Sequence, residues 1–552
     1  MDAPEARTML EALDLHLDDD QLDRLLEHTE GWVAGLRWAA MALEKEPDID
    51  WFLSSGASPD GDIGRYLVEE VLRQQPEDQR AFMLETSVMR GLTADMCDAV
   101  RDCSDSGRRL EQLERSNAMV IGTDQGIGWY RYHHLAREVL EACLVREMPH
   151  RAVELHRRAA RWCRDHGDPV EAVHHLLAVG DRIEAANTLC SSWWELVNGG
   201  RIETVVSLLS LFEDAEIRAY QPLAAAAAFA FGLGGEDERS RHFYRIANEG
   251  DFDGKPPDGS ASMESSLALL RTALVFEGVT QSLVDAELAY ALEPADSVWY
   301  PLAVGGLAVG RVWSGDPDGA APYFEEILDR GGVDEVLAVY SLAELALERL
   351  AQGDNEAALS RSESACRRAH DGGLGSLLVA ARAHAAAALA LLTVGEPKAA
   401  MAHVEAAQLP MEKVERAMPI DAMRTRLLLA DAALQLDLLD LAATCLDGAA
   451  VNRAKVGDTG VLGSQLDQLR ARLDQMVADS GTGSVLAGEL ELSPRELELV
   501  ALLPTRMTYR GIAAELHISV NTVKTHLRNI YGKLGVSTRD EAVDRGQELD
   551  LF

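Results

Sequence analysis

Helical spacing of apolar residues runs through most of the chain. Leu22, Leu25 and Leu26, then Trp32, Leu36, Ala39, Ala40 and Leu43, recur at three- and four-residue steps. That is the stripe of helices buried on one side. Asp18, Asp19 and Asp20 precede the second of these helices, where carboxylates suit the positive end of the backbone dipole. Residues 48–62 are rich in Ser, Gly, Asp and Pro and read as a loop. Helical spacing resumes with Tyr66, Leu67, Val71 and Leu72, and again with Phe82, Met83, Leu84 and Val88. Two short extended runs follow, 119–122 and 129–132, separated by the turn signal Asp124-Gln125-Gly126. Helices followed by a hairpin predict a winged-helix-like unit.

From 151 to 475 the pattern contains no strand. Short helices alternate with breaks at Gly167, Gly180, Gly235, Gly278, Gly315, Gly353 and Gly395. From Gly235 onward the breaks recur about every 40 residues, the period of a helix-pair solenoid. Similar alanine-rich phrases follow them at 319–324, 356–359 and 398–401, where small side chains let helices approach closely. This predicts TPR-like helical repeats. The glycine-rich polar stretch 479–484 reads as flexible linker, and a small helical unit closes the chain.

Charge changes the picture only when read locally. The 91 acidic residues outnumber the 52 basic ones, for a net charge of −39. That excludes a protein that coats nucleic acid or anionic membrane non-specifically. It leaves room for one basic module on an acidic body. No apolar run approaches the ~20 residues of a membrane span, and the acidic start Met1-Asp2-Ala3-Pro4-Glu5 lacks the order of a signal peptide. The seven cysteines (97, 103, 143, 163, 190, 366, 445) form no Cys-x-x-Cys pair. A reduced, cytoplasmic protein is the expectation.

The C-terminal unit is the basic exception. Between Pro504 and Lys533 stand Arg506, Arg510, Lys524, Arg528 and Lys533 against the single acid Glu515, a net +4. Ser493, Pro494 and Glu496 form a helix start with a capping box, and Leu499, Leu502 and Leu503 give its apolar face. Thr508 caps a second helix carrying Ile512, Ala513 and Leu516; Ser519 caps a third; Ser537 and Asp540 open a fourth. In the third helix Val520, Val523, Leu527, Ile530 and Leu534 share one face, and Asn521, Lys524, Thr525, Arg528 and Asn529 the other. A short helix, a tight turn and a helix with one apolar and one basic face make a helix-turn-helix reader. Arg and Lys bond guanine edges in the major groove, and a Thr methyl meets thymine.

The strings Leu492-Ser-Pro-Arg-Glu-Leu-Glu-Leu-Val500 and Ile512-Ala-Ala-Glu-Leu-His-Ile-Ser-Val-Asn-Thr-Val-Lys-Thr-His-Leu-Arg528 closely resemble the LuxR-type helix-turn-helix. Arg506 stands where that family usually has Gly, and Gly511 where it usually has Glu. The resemblance implies base-facing roles for Lys524, Thr525 and Arg528, and phosphate contacts from Thr508, Arg510, Asn521 and Lys533. Upstream, Glu27-His-Thr-Glu-Gly-Trp-Val-Ala-Gly-Leu36, Tyr66-Leu-Val-Glu-Glu-Val71, Tyr130-Arg-Tyr-His-His-Leu135, His156-Arg-Arg-Ala-Ala160 and Gly167-Asp-Pro-Val-Glu-Ala-Val173 resemble the large MalT-like LuxR regulators. The resemblance implies a helical lid remnant of a STAND-type ATPase (1–50), a winged-helix-like domain (63–150), TPR-like repeats (151–475), a linker (476–488) and a LuxR-type reader (489–552).

No Gly-x-x-x-x-Gly-Lys-Ser/Thr phosphate loop occurs. The nearest string, Gly250-Asp-Phe-Asp-Gly254-Lys255-Pro256, is one residue short and ends in Pro, and the lid motif reads Gly31-Trp32-Val33 with Val for Pro. The resemblance therefore begins after the nucleotide-binding core, and no cofactor is expected. His133-His134 and His174-His175 are read as packing or hydrogen-bonding groups rather than metal ligands, since adjacent residues on a helix diverge. Trp193-Trp194 and Trp313 are read as repeat core. The expectation is a non-enzymatic transcription activator, dimeric on double-stranded DNA. The resemblance adds RNA polymerase as a partner and a small-molecule or protein effector at the repeats. The alternative is a TPR-like protein-interaction scaffold whose helix-turn-helix reads nothing.

Overall fold

In the computed structural model the described residues are 3–13, 15–29, 31, 33, 35–36, 39–40, 43, 49, 72, 75–115, 120–122, 128–330, 334–408, 418–480, 494–505, 507–516, 523, 526–527, 530–531, 533–534, 536 and 538–548. The fold is mainly α, with one short hairpin among these residues. Of the loop expected at 48–62 only Ile49 is described; it is helical and buried.

Helices Ala3–Glu11 and Asp19–Thr29 bury Leu10, Leu22 and Leu25. Three further helices, Glu77–Thr86, Ala94–Arg101 and Ser106–Arg115, precede the hairpin. Val120–Gly122 pairs antiparallel with Tyr130–Tyr132, Val120 opposite Tyr132. Leu92 adds a bridge to Tyr130, with N–H to carbonyl distances of 2.7 and 2.9 Å. The buried Tyr132 hydroxyl bonds Thr86 Oγ1 at 2.7 Å, fastening the sheet to helix Glu77–Thr86. This is the winged-helix arrangement that the switch from helical to alternating pattern predicts. His133 is buried and lies 2.6 Å from the Thr29 carbonyl, tying the unit to the N-terminal helices.

The repeat region begins with helix Pro149–Asp165. This helix also belongs to the winged-helix unit: Arg151 pairs with Glu85 at 2.8 Å and donates to the Arg101 carbonyl. One continuous apolar core runs from Ala6 through both units to Ala303. Connectors between helices use a Gly-Asp-Pro device. Gly167 and Gly315 take φ of 77° and 90°, the left-handed conformation that ends a helix at low cost in glycine. Asp168 and Asp316 then accept bonds from the Glu171 and Gly319 amides, and Pro169 and Pro317 open the next helices. The expected helix pairs are present, among them Glu335–Ala351 with Asn355–Asp371 and Pro419–Gln435 with Leu439–Lys455.

Trp193 is buried against Trp299 and Phe229, and Trp313 is buried as well. Arg382 is 1% exposed and held by Asp421 at 2.8 Å and Glu344 at 3.4 Å, with its guanidinium 4.3 Å from the Tyr340 ring. The repeats fold back on themselves. Asp458 accepts from the Thr280 amide at 2.8 Å, and its carbonyl from the Val279 amide at 3.0 Å. Helix Val461–Ser480 carries regular structure into the stretch expected as linker from 476, because Met476 still packs on the repeat core. The phosphate-loop lookalike 250–256 is loop. Among the described residues no helix is long and apolar enough to cross a membrane, and all seven cysteines are free.

Candidate nucleic-acid interface

The C-terminal unit has its own core. Leu499, Val500, Leu503, Ile512, Ala513, Val523, Leu527, Ile530, Leu534 and Ala542 are all buried together. Helices Pro494–Leu502, Tyr509–Glu515 and Arg539–Glu548 supply part of it. Val523, Leu527, Ile530 and Leu534 come from the segment read as the third helix. Their common burial fixes the inward side of that segment, as the helical period requires.

Thr508 caps the second helix: its Oγ1 accepts from the Gly511 amide at 3.3 Å. That satisfies one of the free amides at the helix start. Thr508 and Arg510 are both exposed. Lys533 is turned to a different task. Its Nζ lies 2.7 Å from Glu496 Oε2, and Glu496 is 3% exposed. The ammonium expected at phosphate thus pins the end of the third helix to the first. Glu496, expected as the far half of a capping box, accepts that bond. Ser493, Ser519 and Ser537 lie outside the described residues, as do Asn521, Lys524, Thr525 and Arg528. The fourth helix takes its cap from Thr538, whose Oγ1 accepts from the Glu541 amide at 3.3 Å.

Arg539 is a residue that sequence reasoning passed over. Its guanidinium donates to the carbonyls of Leu503, Thr505 and Met507 at 3.0, 2.7 and 2.7 Å. It gathers the backbone acceptors left at the end of the first helix and the turn after it, and so sets where the second helix starts. No local spacing in the sequence marks this role.

Residues 68–152 match the MalT winged helix domain, and residues 490–545 match the luxR family of bacterial regulatory proteins. The HTH-type transcriptional regulator MalT of Yersinia enterocolitica is 31% identical over 189 residues, 34% of this chain and 21% of that protein. MalT of Yersinia pestis is 28% identical over 197 residues, 35% of this chain and 22% of that protein. The serine/threonine-protein kinase PknK of Mycobacterium tuberculosis is 28% identical over 230 residues, 42% of this chain and 21% of the kinase. The matched stretches therefore span about a fifth of these relatives' own lengths. Fold and motif define a helical protein that joins a winged helix to a LuxR-type DNA-binding domain. The chain is homologous to the MalT regulators over the matched stretches.

Proposed function

We propose that the chain is a sequence-specific DNA-binding transcription activator whose C-terminal helix-turn-helix reads the major groove. Lys524, Thr525 and Arg528 meet base edges; Asn521, Thr508 and Arg510 hold phosphates. Lys533 serves the reader through Glu496. The observation that carries this reading is the buried row Val523, Leu527, Ile530 and Leu534. That row supports the expectation, read from the sequence period, that Asn521, Lys524, Thr525 and Arg528 share the other face of a helix. A helix so placed, after a capped short helix, is built to enter the groove.

The reader acts as a homodimer on paired half-sites, their centres about 34 Å or a multiple apart. The helical repeats receive a small-molecule or protein effector and control assembly. The acidic body, in a chain of net charge −39, keeps DNA away from all but the reader. The test is the double variant Lys524→Ala/Arg528→Ala, assayed on a duplex the parent selects. Loss of site-specific binding with a weaker, sequence-independent affinity retained supports the reading; unchanged specific binding overturns it.

A further inference from the structure

Three side chains converge in the repeats, away from the reader. Cys366 lies on helix Asn355–Asp371, His384 on Leu378–Thr393 and His403 on Pro397–Ala406. His384 Nδ1 and His403 Nδ1 are 2.9 Å apart. Cys366 Sγ stands 3.7 Å from the first and 3.9 Å from the second. All three are half-buried, so solvent reaches them. We propose that Cys366, His384 and His403 form a binding site for a thiophilic divalent cation of the zinc type, with its fourth position left to water.

Zinc binds imidazole nitrogen at about 2.0–2.1 Å and thiolate at about 2.3 Å, so a tetrahedral site sets N to N at about 3.3 Å and N to S at about 3.6 Å. The triangle here departs from that by only a few tenths of an ångström on each edge, within the reach of side-chain rotation. The chemistry agrees. Burial favours the neutral form of both imidazoles, with His403 also lowering His384, and neutral imidazole is the ligating form. Burial likewise pushes the Cys366 thiol up to about 12, so the protein alone does not hold a thiolate there. The cation does so by displacing the thiol proton to solvent. The proton shared between the two Nδ1 atoms moves to an outer Nε2, leaving two Nδ1 lone pairs and one thiolate on the metal. Nearby, Glu363 and Arg367 bring opposite charges to the rim.

The molecule carries its own comparison. His156 and His175 occupy the same register: each first histidine lies eleven residues before a connector glycine, and each second lies six after the connector proline. Their Nδ1 atoms are 3.1 Å apart. There the third neighbour is Glu141, which approaches the other nitrogen of His156, Nε2, at 3.6 Å. Among the described residues a third ligand faces both Nδ1 atoms at 384 and 403 but not at 156 and 175.

The test uses the full chain, stripped with chelator, incubated with zinc sulfate alone and desalted; cobalt(II) replaces zinc for spectroscopy. The expected result is one retained ion per chain and a thiolate-to-cobalt charge-transfer band. Both vanish in Cys366→Ser and His403→Asn and persist in His156→Asn. No retained ion in the parent, or the same stoichiometry and band in Cys366→Ser, overturns the site. Should a variant lose its helical circular dichroism, the parent decides: zinc must shield Cys366 from alkylation, mapped by peptide mass, and unshielded alkylation at Cys366 overturns the proposal.

Discussion

Lys533 and Glu496 meet at 2.7 Å across the C-terminal unit, one at the end of the proposed reading helix, the other buried in the first helix. A basic residue in a basic segment is thus spent on the fold. Lys533→Ala should destabilise the unit by about 1 kcal/mol, the scale of a charged hydrogen bond with one half-exposed partner. Adding Glu496→Gln should cost less than the sum of the two single changes, since the two residues share a bond. Thermal unfolding of the two single variants and the double variant reads this. Independent, additive losses would contradict it.

Arg510 is exposed and separates from Lys533 on salt dependence. Arg510→Ala should weaken binding by similar factors on all duplexes and reduce the slope of log affinity against log salt by about 0.9, one phosphate contact. Lys533→Ala should leave that slope unchanged. Titrations at several salt concentrations distinguish the two.

The His156–His175 pair should make the repeats acid-sensitive. Burial lowers His156 to about 4 and His175 to about 3, His175 also feeling His156 and His174. Both lie below the ordinary value of about 6.5 in the unfolded chain. The unfolded state therefore binds more protons as pH falls. Their contribution is fully present above about pH 6.5 and drains away as pH falls, to about pH 4 for His156 and about pH 3 for His175, by up to about 1.4 kcal/mol per pH unit for each histidine. Glu141, raised by burial, acts in the opposite sense. Urea unfolding at pH 7.5 and pH 5 should show the loss, and His175→Gln should flatten the difference. An unchanged difference in the variant would count against it.

Arg382 is the charge at the centre of the later repeats. Arg382→Met removes the cation that Glu344 and Asp421 share while both carboxylates stay buried. Breaking such a buried pair from one side costs about 3–5 kcal/mol. The midpoint of urea unfolding should fall accordingly with helix content retained in buffer; a shift worth less than about 1 kcal/mol would contradict the network's role.

Much of this was legible in the chain because it rests on local rules. The change from helical spacing to alternation located the hairpin, for strand and helix expose their faces with different periods. Gly167, Gly315 and the Asp-Pro that follows each announced the connectors. Thr508 announced a cap. What stayed hidden depends on contacts distant in sequence. The bonds from Arg539 to the carbonyls of Leu503, Thr505 and Met507 and from Lys533 to Glu496 join residues 32 to 37 positions apart, which no local spacing announces. Cys366, His384 and His403 are spaced by 18 and 19 residues, which matches no short ligand motif. Only the antiparallel stacking of three helices brings them to one point. The spacing repeated between His156 and His175 was the available signal.

Residues 524–528 are proposed to read DNA sequence. Selection of bound duplexes from a random pool at near-physiological salt, with the full chain and Lys524→Ala/Arg528→Ala in parallel, tests it most directly. The parent is expected to enrich a paired motif and the variant to enrich none. Enrichment of the same motif by both proteins would contradict it.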